Sequence, residues 1–200
     1  MDQQTTIDRA LKRVWMESIQ DDYLEDRLPN EDTLKNAIYH HLRRRLTDRW
    51  LRDNRLRVFT EYPLDGKERA DLAVVRLKPK SDAGDGESLF DRVEQRLCLV
   101  ECKFKGDGVG LDPFILDVNK VRNYAHQKDY ADCLFYLATI DEEAWEEDEA
   151  WLLDRRQMRG WGRRVVEFTC SYVIRRPDPV FRVISYNSLN PDLSSKYSPT

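Results

Sequence analysis

The sequence predicts a single α/β domain in which helices flank a central mixed β-sheet. Two hundred residues, 40% of them hydrophobic, can bury one sizeable core. Apolar runs of strand length occur in series with segments whose apolar residues recur at helical spacing. The pattern predicts an N-terminal helix (1–28), a core (30–140), a C-terminal helix with strands (141–193) and a tail (194–200).

Two helices are predicted before the first strand. Thr6 can cap the first helix, whose apolar residues from Ile7 to Ile19 recur at helical spacing. The second helix is expected to start after the cap Asn30, with an apolar stripe that runs to Leu46. Glu31 lies at the N-terminal edge of that stripe, so it should point along the packed face.

Six apolar runs predict strands, and they cover about 56–62, 70–77, 96–104, 133–140, 165–175 and 180–186. The turn sequence Pro63-Leu64-Asp65-Gly66 makes the first pair antiparallel. A helical pattern over roughly 113–128 separates the third and fourth strands, and strands joined through a helix are usually parallel. The predicted order is therefore helix, antiparallel strands, helix and parallel strand.

A further helix is predicted between the fourth and fifth strands. Asp141, Glu142 and Glu143 would open it, and Arg155, Arg156 and Arg159 would close it. Acidic residues at the start and basic residues at the end suit the helix dipole. The tail from Ser194 is expected to fray.

Composition limits the possible partners and compartments. A net charge of −4 and a pI near 5.5 argue against a general polyanion binder, so any nucleic-acid contact must be a local basic patch. Four cysteines without a C-x-x-C pair suit a reducing cytosol. Neither a signal peptide nor an apolar stretch of membrane-spanning length is evident, which predicts a cytoplasmic protein with no membrane partner.

Three ionisable residues on neighbouring strands indicate a reactive site. Asp71 lies on one apolar strand, and Glu101-Cys102-Lys103 lies on the next. Because strand side chains alternate, Glu101 and Lys103 should share one face with Leu97 and Leu99. Charges in apolar surroundings need a partner, and two carboxylates beside an ammonium suit a hard divalent cation. That is the chemistry of phosphodiester hydrolysis.

The acid-x-Lys spacing is weak by itself, since Asp65-Gly66-Lys67 has it too. Only the second example follows an apolar strand. The alternative is that Glu101 and Lys103 are ordinary exposed residues at a strand end, with Asp71 paired to Arg69 or Arg76.

Each residue would have a distinct role in hydrolysis. Asp71, Glu101 and the Cys102 carbonyl would be ligands of Mg²⁺, which Mn²⁺ could replace. Lys103 would orient or deprotonate the attacking water, or stabilise the phosphorane.

The arrangement of Asp71, Glu101-x-Lys103 and a helical Glu31 resembles the core of the PD-(D/E)XK nuclease superfamily over roughly 30–140. The resemblance implies a restriction-endonuclease-like fold in which Asp71 and Glu101 bind magnesium, Lys103 is catalytic and Glu31 joins them. Ala70 stands where the family pattern has proline. Glu61, on the preceding strand, is another candidate acid.

The segment after the third strand resembles the helix that follows this core in many such nucleases. Asp117, Lys120 and Tyr124 share a helix face by their spacing and could hold a phosphate or orient Lys103. The alternative is an intrahelical pair of Asp117 and Lys120 beside a core tyrosine.

The densest basic run comprises Arg43, Arg44, Arg45, Arg49, Arg52, Arg55 and Arg57. Arg43, Arg44, Arg45, Arg49 and Arg52 are the candidate nucleic-acid contacts. A solvated helix end whose arginine stems cover apolar surface is the alternative and is favoured.

Other residues capable of chemistry are assigned to packing or the surface. His40, His41 and His126 show no zinc-ligand spacing with cysteine. Trp145, Trp151 and Trp161 could stack on bases, although core packing is favoured for most of them.

The leading expectation is a magnesium-dependent endonuclease of the restriction or antiviral-defence kind, with DNA favoured over RNA as its substrate and the choice between them left open by the sequence. One alternative is a catalytically silent nucleic-acid-binding or assembly subunit of a larger defence complex. Another is a Holliday-junction resolvase. A homodimer would be the simplest way to cut both strands.

Overall fold

The computed structural model describes residues 2–64, 68–82, 84, 86–106, 112–145, 162–174 and 176–197. Its helices are α1 (Gln3–Arg13), α2 (Gln20–Leu24), α3 (Glu31–Leu46), α4 (Asp48–Asp53) and α5 (Asp112–Ala125), with a π-helical segment, Val14–Ile19, between the first two. Its strands are β1 (Leu56–Pro63), β2 (Arg69–Leu77), β3 (Val93–Lys105), β4 (Leu134–Trp145), β5 (Val165–Val173), β6 (Val180–Ser185) and β7 (Lys196–Tyr197). Short 3₁₀ turns cover Lys80–Asp82, Lys128–Tyr130, Gly162–Arg164 and Pro191–Leu193.

The strands form one mixed sheet in the order β1-β2-β3-β4-β5-β6-β7. Strands β1 to β3 are antiparallel, β3 to β5 are parallel, and β6 is antiparallel to β5. The predicted mixed sheet, including the parallel fourth strand, is confirmed. Residues Asp65 and Gly66 of the predicted turn lie outside the described residues.

Helices cover both faces of the sheet. The first face packs against α1, the π-helical segment and α3 through side chains that include Leu11, Trp15 and Leu34. The second face packs against α5 through Phe114 and Val118. Helix α3 and helix α5 therefore approach β3 from opposite sides.

A bulge in β3 sets the faces of its residues. The β2–β3 register passes from Val74–Cys98 to Val75–Arg96, which leaves Leu97 without a partner in β2. Leu97 packs on the first face of the sheet and Leu99 on the second. The prediction that both share a face with Glu101 is thus wrong for Leu97, because the extra residue reverses the alternation on one side of the bulge.

The helix predicted to open at Asp141 is wrong over the residues that the structure describes. Strand β4 continues to Trp145, and Asp141 pairs in register with Lys105 of β3 and Ser171 of β5. Its fully buried carboxylate lies 3.4 Å from the Lys105 ammonium, so a neighbouring strand compensates the charge rather than a helix dipole. The predicted helix end, with Arg155, Arg156 and Arg159, lies outside the described residues, as do Trp151 and Trp161.

The helix starts were predicted with mixed success. Asn30 caps α3 as expected, since its side-chain oxygen accepts the Thr33 N–H at 2.9 Å. The first helix begins earlier than predicted because Asp2, and not Thr6, is its cap. The carboxylate of Asp2 accepts the Thr5 N–H at 3.4 Å, and Thr6 lies inside the first turn.

The chain near its C-terminus is ordered further than expected. Strand β7 pairs with β6, and the Ser195 hydroxyl accepts the Val183 N–H at 3.1 Å. The prediction of fraying from Ser194 is therefore wrong as far as Tyr197, and 198–200 lie outside the described residues.

A buried polar network ties α1 to the segment after β6. Asp8 and Lys12 are fully buried and form an ion pair at 2.9 Å. The Asp8 carboxylate also accepts hydrogen bonds from Tyr136 at 3.0 Å and from Asn190 at 2.9 Å. Lys12 also donates to the Ser185 hydroxyl at 3.2 Å. This network fixes the N-terminal helix on the sheet.

Cys98, Cys102, Cys133 and Cys170 are all buried free thiols. Among the described residues, none of the helices has the length and apolar character that crossing a membrane requires.

Candidate functional site

Six charged side chains meet where β2 and β3 pass between α3 and α5. We call them the acid–lysine cluster: Glu31, Asp71, Glu101, Lys103, Asp117 and Lys120. They come from two strands and from helices on opposite faces of the sheet, so their proximity is a product of the tertiary fold.

Asp71 is anchored to β3 through the backbone. Its Oδ2 accepts the Cys102 N–H at 2.7 Å. Burial raises the pKa of Asp71, the Cys102 N–H opposes this shift, and the charge of Glu31 adds to it. In a strand the N–H and C=O of one residue point to the same edge, so the Cys102 carbonyl faces β2 as well.

Glu101 is the most buried acid of the cluster, at 5% exposure. Lys120 of α5 donates to its Oε2 at 2.8 Å and also donates to the Arg69 carbonyl. Burial raises the pKa of Glu101 to about 8; Lys120 opposes the shift, while Asp71 and Asp117 reinforce it. A cation brought to this carboxyl would favour its ionised form.

Lys103 lies between carboxylates from the two helices. Its Nζ is 3.2 Å from Glu31 Oε2 and 3.1 Å from Asp117 Oδ2. Burial favours a lower pKa of Lys103, but Asp117 and Glu31 outweigh burial and raise it. The ammonium is therefore charged at neutral pH.

The alternative prediction, in which these are ordinary exposed residues at a strand end, does not match the observed contacts. Glu101 is buried, and the Lys103 side chain is 24% exposed, so neither is an ordinary solvated residue. Asp71 bonds to Cys102, whereas Arg76 donates to Gln95.

Helix α5 contributes to the cluster through contacts between elements. Asp117 binds Lys103 of β3, and Lys120 binds Glu101. These two contacts with β3 take the place of the intrahelical ion pair between Asp117 and Lys120 that was the alternative prediction. Tyr124 is a core residue, 4% exposed, whose hydroxyl donates to Glu68.

Glu61 belongs to a neighbouring ion pair. It lies on β1 with φ 51°, at the position between the Thr60–Leu72 and Tyr62–Ala70 pairs, and so opposite Asp71. Its carboxylate contacts Lys35 of α3 at 2.5 Å, and Lys35 also contacts Asp32 at 2.9 Å.

Sequence reasoning missed Lys35 and Glu68. Lys35 could have been found, because it stands four residues after Glu31 on the same helix face. Glu68 had no such signal, since only the packing of α5 brings Tyr124 to it.

A magnesium ion at this cluster could draw on two carboxylates and one carbonyl, and would keep most of its water. Among the described residues, no group of three or more His, Cys, Asp or Glu side chains is arranged to hold a metal. Mg²⁺ is commonly held by one or two carboxylates with several waters, and Asp71, Glu101 and the Cys102 carbonyl would supply such a set. Lys120 would have to leave Glu101.

The other candidate residues lie elsewhere. Of the arginine run, Arg43 bonds Asp48, Arg45 bonds Glu17 and Arg49 lies near Asp53. The His41 ring contacts Asp22 at 2.7 Å, the ring of His126 contacts the Arg122 carbonyl at 2.7 Å, and His40 is exposed. Trp145 ends strand β4.

No protein-family model, curated protein or solved structure matches this chain. What the protein does must therefore be inferred from the chemistry of its own residues.

A second buried carboxyl lies two strands from Glu101. Glu167 is aligned with Leu137, which is aligned with Glu101, so all three positions share one face of the sheet. Glu167 is fully buried, and its two oxygens have no hydrogen-bond partner among the described residues. Burial raises the pKa of Glu167 to about 8.

Replacing Glu167 with glutamine should stabilise the protein increasingly as pH rises. A carboxyl whose pKa is raised on folding favours the folded state below the unfolded pKa of 4.5, and that contribution is lost as pH rises towards about 8. Glutamine does not titrate, so the gain in free energy of unfolding should grow by roughly 1 kcal/mol per pH unit from about pH 5 and level off near pH 8. Thermal melts from pH 5 to 9 measure this.

Glu25→Gln is the matched control, because the Glu25 side chain is 70% exposed. Its melting temperature should track wild type at every pH. Parallel wild-type and Glu167→Gln curves would show that Glu167 keeps an ordinary pKa.

Proposed function

We propose that the chain is a divalent-metal-dependent nuclease that hydrolyses phosphodiester bonds, an endonuclease acting on DNA. The observation that carries the proposal is the acid–lysine cluster, in which the buried Glu101 (5% exposed) interacts electrostatically with Asp71, and Lys103 of the same strand is held between Glu31 and Asp117. Burying carboxylates is costly without a cation, and a divalent ion is a cation that can also assist phosphodiester hydrolysis.

The roles of the protein groups follow from their contacts. Bound Mg²⁺ would supply charge neutralisation on the phosphorane and a lowered pKa of the attacking water. Asp71, Glu101 and the Cys102 carbonyl would hold the ion. Lys120, released from Glu101, would be available to a phosphate oxygen.

Lys103 would act as a charged donor rather than as a base. Asp117 and Glu31 raise the pKa of Lys103 against the effect of burial, which disfavours loss of its proton. An ammonium in that state stabilises negative charge on the phosphorane and orients water by donating hydrogen bonds. Of its three expected roles, deprotonation of the water is the least supported.

The test is a panel of linear duplex, branched and single-stranded DNA and RNA with Mg²⁺ or Mn²⁺. We expect cleavage of duplex DNA that stops when the metal is chelated. Preferential cutting of four-way junctions would support the Holliday-junction resolvase, and cleavage of RNA alone would contradict the choice of DNA. No cleavage of any substrate with either metal would contradict the enzyme.

Magnesium affinity should depend on the two carboxylates. We expect Asp71→Asn and Glu101→Gln each to weaken Mg²⁺ binding by at least about tenfold, since each removes one charged ligand from a site with few protein ligands. Isothermal calorimetry on wild type and variants measures this. Glu25→Gln, an exposed carboxylate on α2's C-terminal side, should bind Mg²⁺ as wild type does.

A catalytically silent nucleic-acid-binding subunit is the second candidate. It is favoured by the ion pairs of Lys103 with Glu31 and Asp117 and of Lys120 with Glu101, which give three of the four carboxylates a cationic partner without a metal. Calorimetry separates the two candidates, because a silent subunit should show no Mg²⁺ affinity that depends on Asp71 and Glu101.

A further inference from the structure

Helix α3 connects the acid–lysine cluster to a basic surface. Glu31, Lys35, Tyr39 and Arg43 follow one another at intervals of four residues, so each neighbours the next in one row that winds slowly around the helix. Glu31 contacts Lys103, and Lys35 contacts Glu61 of β1. The helix face that this row follows therefore runs from the proposed site along β1.

Two adjoining surface pockets lie at the far end of this face. They have volumes of about 330 and 290 Å³ and share Tyr39, Arg43 and Asp48 in their walls. The second pocket is completed by Arg52 of α4 and by Arg57 and Val58 of β1. We call the two together the α3–β1 groove. It is open to solvent because β1 is an edge strand.

The groove is positively charged in a chain whose net charge is −4. Arg43, Arg44, Arg52 and Arg57 line it, against the single carboxylate of Asp48. Arg43 is already bound to Asp48 at 2.5 Å and to the Tyr39 hydroxyl at 2.9 Å. Arg52 and Arg57 are exposed and have no carboxylate within ion-pair distance among the described residues.

The structure divides the basic run into two groups. Arg45 faces the π-helical segment that precedes α2, where it binds Glu17 at 2.6 Å. Arg49 is 87% exposed and lies 3.7 Å from Asp53. Neither lines the groove, although both belong to the same stretch of sequence.

We propose that the α3–β1 groove binds the phosphodiester backbone of the nucleic acid on one side of the cleaved bond. Arg52 and Arg57 supply the phosphate contacts, and Tyr39 and Arg43 form the wall between them and the cluster. This inference rests on the proposed nuclease function and names the surface by which that site receives its substrate.

The geometry also gives the position of the contact. Glu31 and Arg43 are 12 residues apart in α3, which is about 18 Å along a helix axis. One strand of duplex carries a phosphate about every 3.4 Å of axis, so the groove lies roughly five base pairs from the cut.

The decisive experiment compares two double variants of equal charge change. Arg52→Gln/Arg57→Gln alters the groove, and Arg45→Gln/Arg49→Gln alters the same basic run outside it. Binding of a fluorescent 30-base-pair duplex is measured by anisotropy without metal, across salt concentrations, in a Lys103→Ala background that removes cleavage.

We expect the groove variant to lose at least about tenfold in affinity and its salt slope to fall by about two, as two phosphate contacts disappear. The control variant should stay within about threefold of the Lys103→Ala parent. Equal losses in both variants, or no loss in the groove variant, overturn the proposal.

Substrate length gives a second readout in the cleaving protein. Duplexes with fewer than about five base pairs on one side of the cut should be cleaved equally by wild type and by the groove variant, whereas longer duplexes should be cleaved more slowly by the variant. If wild type and the groove variant cleave duplexes of every length at the same rate, the proposed role of the groove is wrong but the nuclease function stands. If the groove variant binds duplex more weakly but the wild type cleaves nothing, the nuclease function is wrong but the role of the groove in binding stands.

Discussion

Replacing Lys103 with methionine is expected to reduce metal-dependent cleavage by at least about 100-fold. Methionine keeps much of the side-chain length but removes the ammonium that Glu31 and Asp117 hold at 3.2 and 3.1 Å. A positioned proton donor or charge of this kind typically contributes 10²–10⁴ to a rate. The rate of duplex cleavage under single-turnover conditions is the measurement.

Retention of the fold should accompany this loss of activity. Glu31 and Asp117 are 39% and 23% exposed at their side chains, so water can replace the ammonium. We expect a change in melting temperature of no more than about 3 °C, which corresponds to roughly 1 kcal/mol in a chain of this size. If Lys103→Met does not fold, Lys103→Gln, which also removes the charge, replaces it in the same measurement.

Two further variants make the Lys103 result specific. Lys103→Arg keeps the charge but in a wide planar group, and we expect only partial recovery of the rate. Lys128→Met removes an exposed lysine beyond α5 and should cleave as wild type does. Cleavage by Lys103→Met at the wild-type rate would contradict the assigned role.

Replacing Asp8 with alanine is expected to cost about 3–5 kcal/mol of stability. The change leaves the fully buried Lys12 ammonium without its ion-pair partner, and a buried charge without a partner is strongly destabilising. Tyr136 and Asn190 lose an acceptor as well. Chemical denaturation of wild type and variant gives the free energies of unfolding.

A double variant shows whether the loss of stability comes from the unpaired charge of Lys12. Asp8→Ala combined with Lys12→Met should be more stable than Asp8→Ala alone, since removing both charges leaves no uncompensated ion. Asp21→Ala, an exposed acid on α2, serves as the control and should lose less than about 0.5 kcal/mol. A loss below about 1 kcal/mol for Asp8→Ala would contradict the network.

Local chemistry accounts for the features that were predicted correctly. Asn30 caps α3 because its side chain reaches an N–H three residues away. The apolar runs form strands β1 to β6 as predicted, although β3 and β4 extend further, since side-chain alternation and turn residues are local properties. The parallel pairing of β3 and β4 was predictable because a helix connects them, and strands connected through a helix are usually parallel.

The predictions failed at positions whose local structure depends on residues far away in the sequence. Asp141 was expected to begin a helix, but Lys105 of another strand holds its carboxylate and β4 continues. Leu97 changes face because a bulge in β3 is set by its pairing with β2. The residues that flank Asp141 and Leu97 in the sequence give no signal for these pairings.

The acid–lysine cluster shows the same division. Asp71, Glu101 and Lys103 were recognised from acids and a lysine on successive apolar strands, and the helical Glu31 from its place at the edge of an apolar stripe. Asp117 and Lys120 were recognised from their shared helix face. The pairing was not predictable: Lys103 joins Glu31 to Asp117 across the sheet, while Lys120 takes Glu101. Which carboxylate meets which lysine depends on how α3 and α5 pack.

By itself, the sequence determined most strand and helix segments of the core, the antiparallel first strands with the parallel fourth strand, and the candidacy of all six residues that form the cluster. Only the tertiary structure decided the burial of Glu101, the raised pKa of its carboxyl and the separation of the arginine run into two surfaces. The physical reason is range: capping and alternation act within a few residues, whereas desolvation and charge pairing depend on atoms that folding brings from far along the chain.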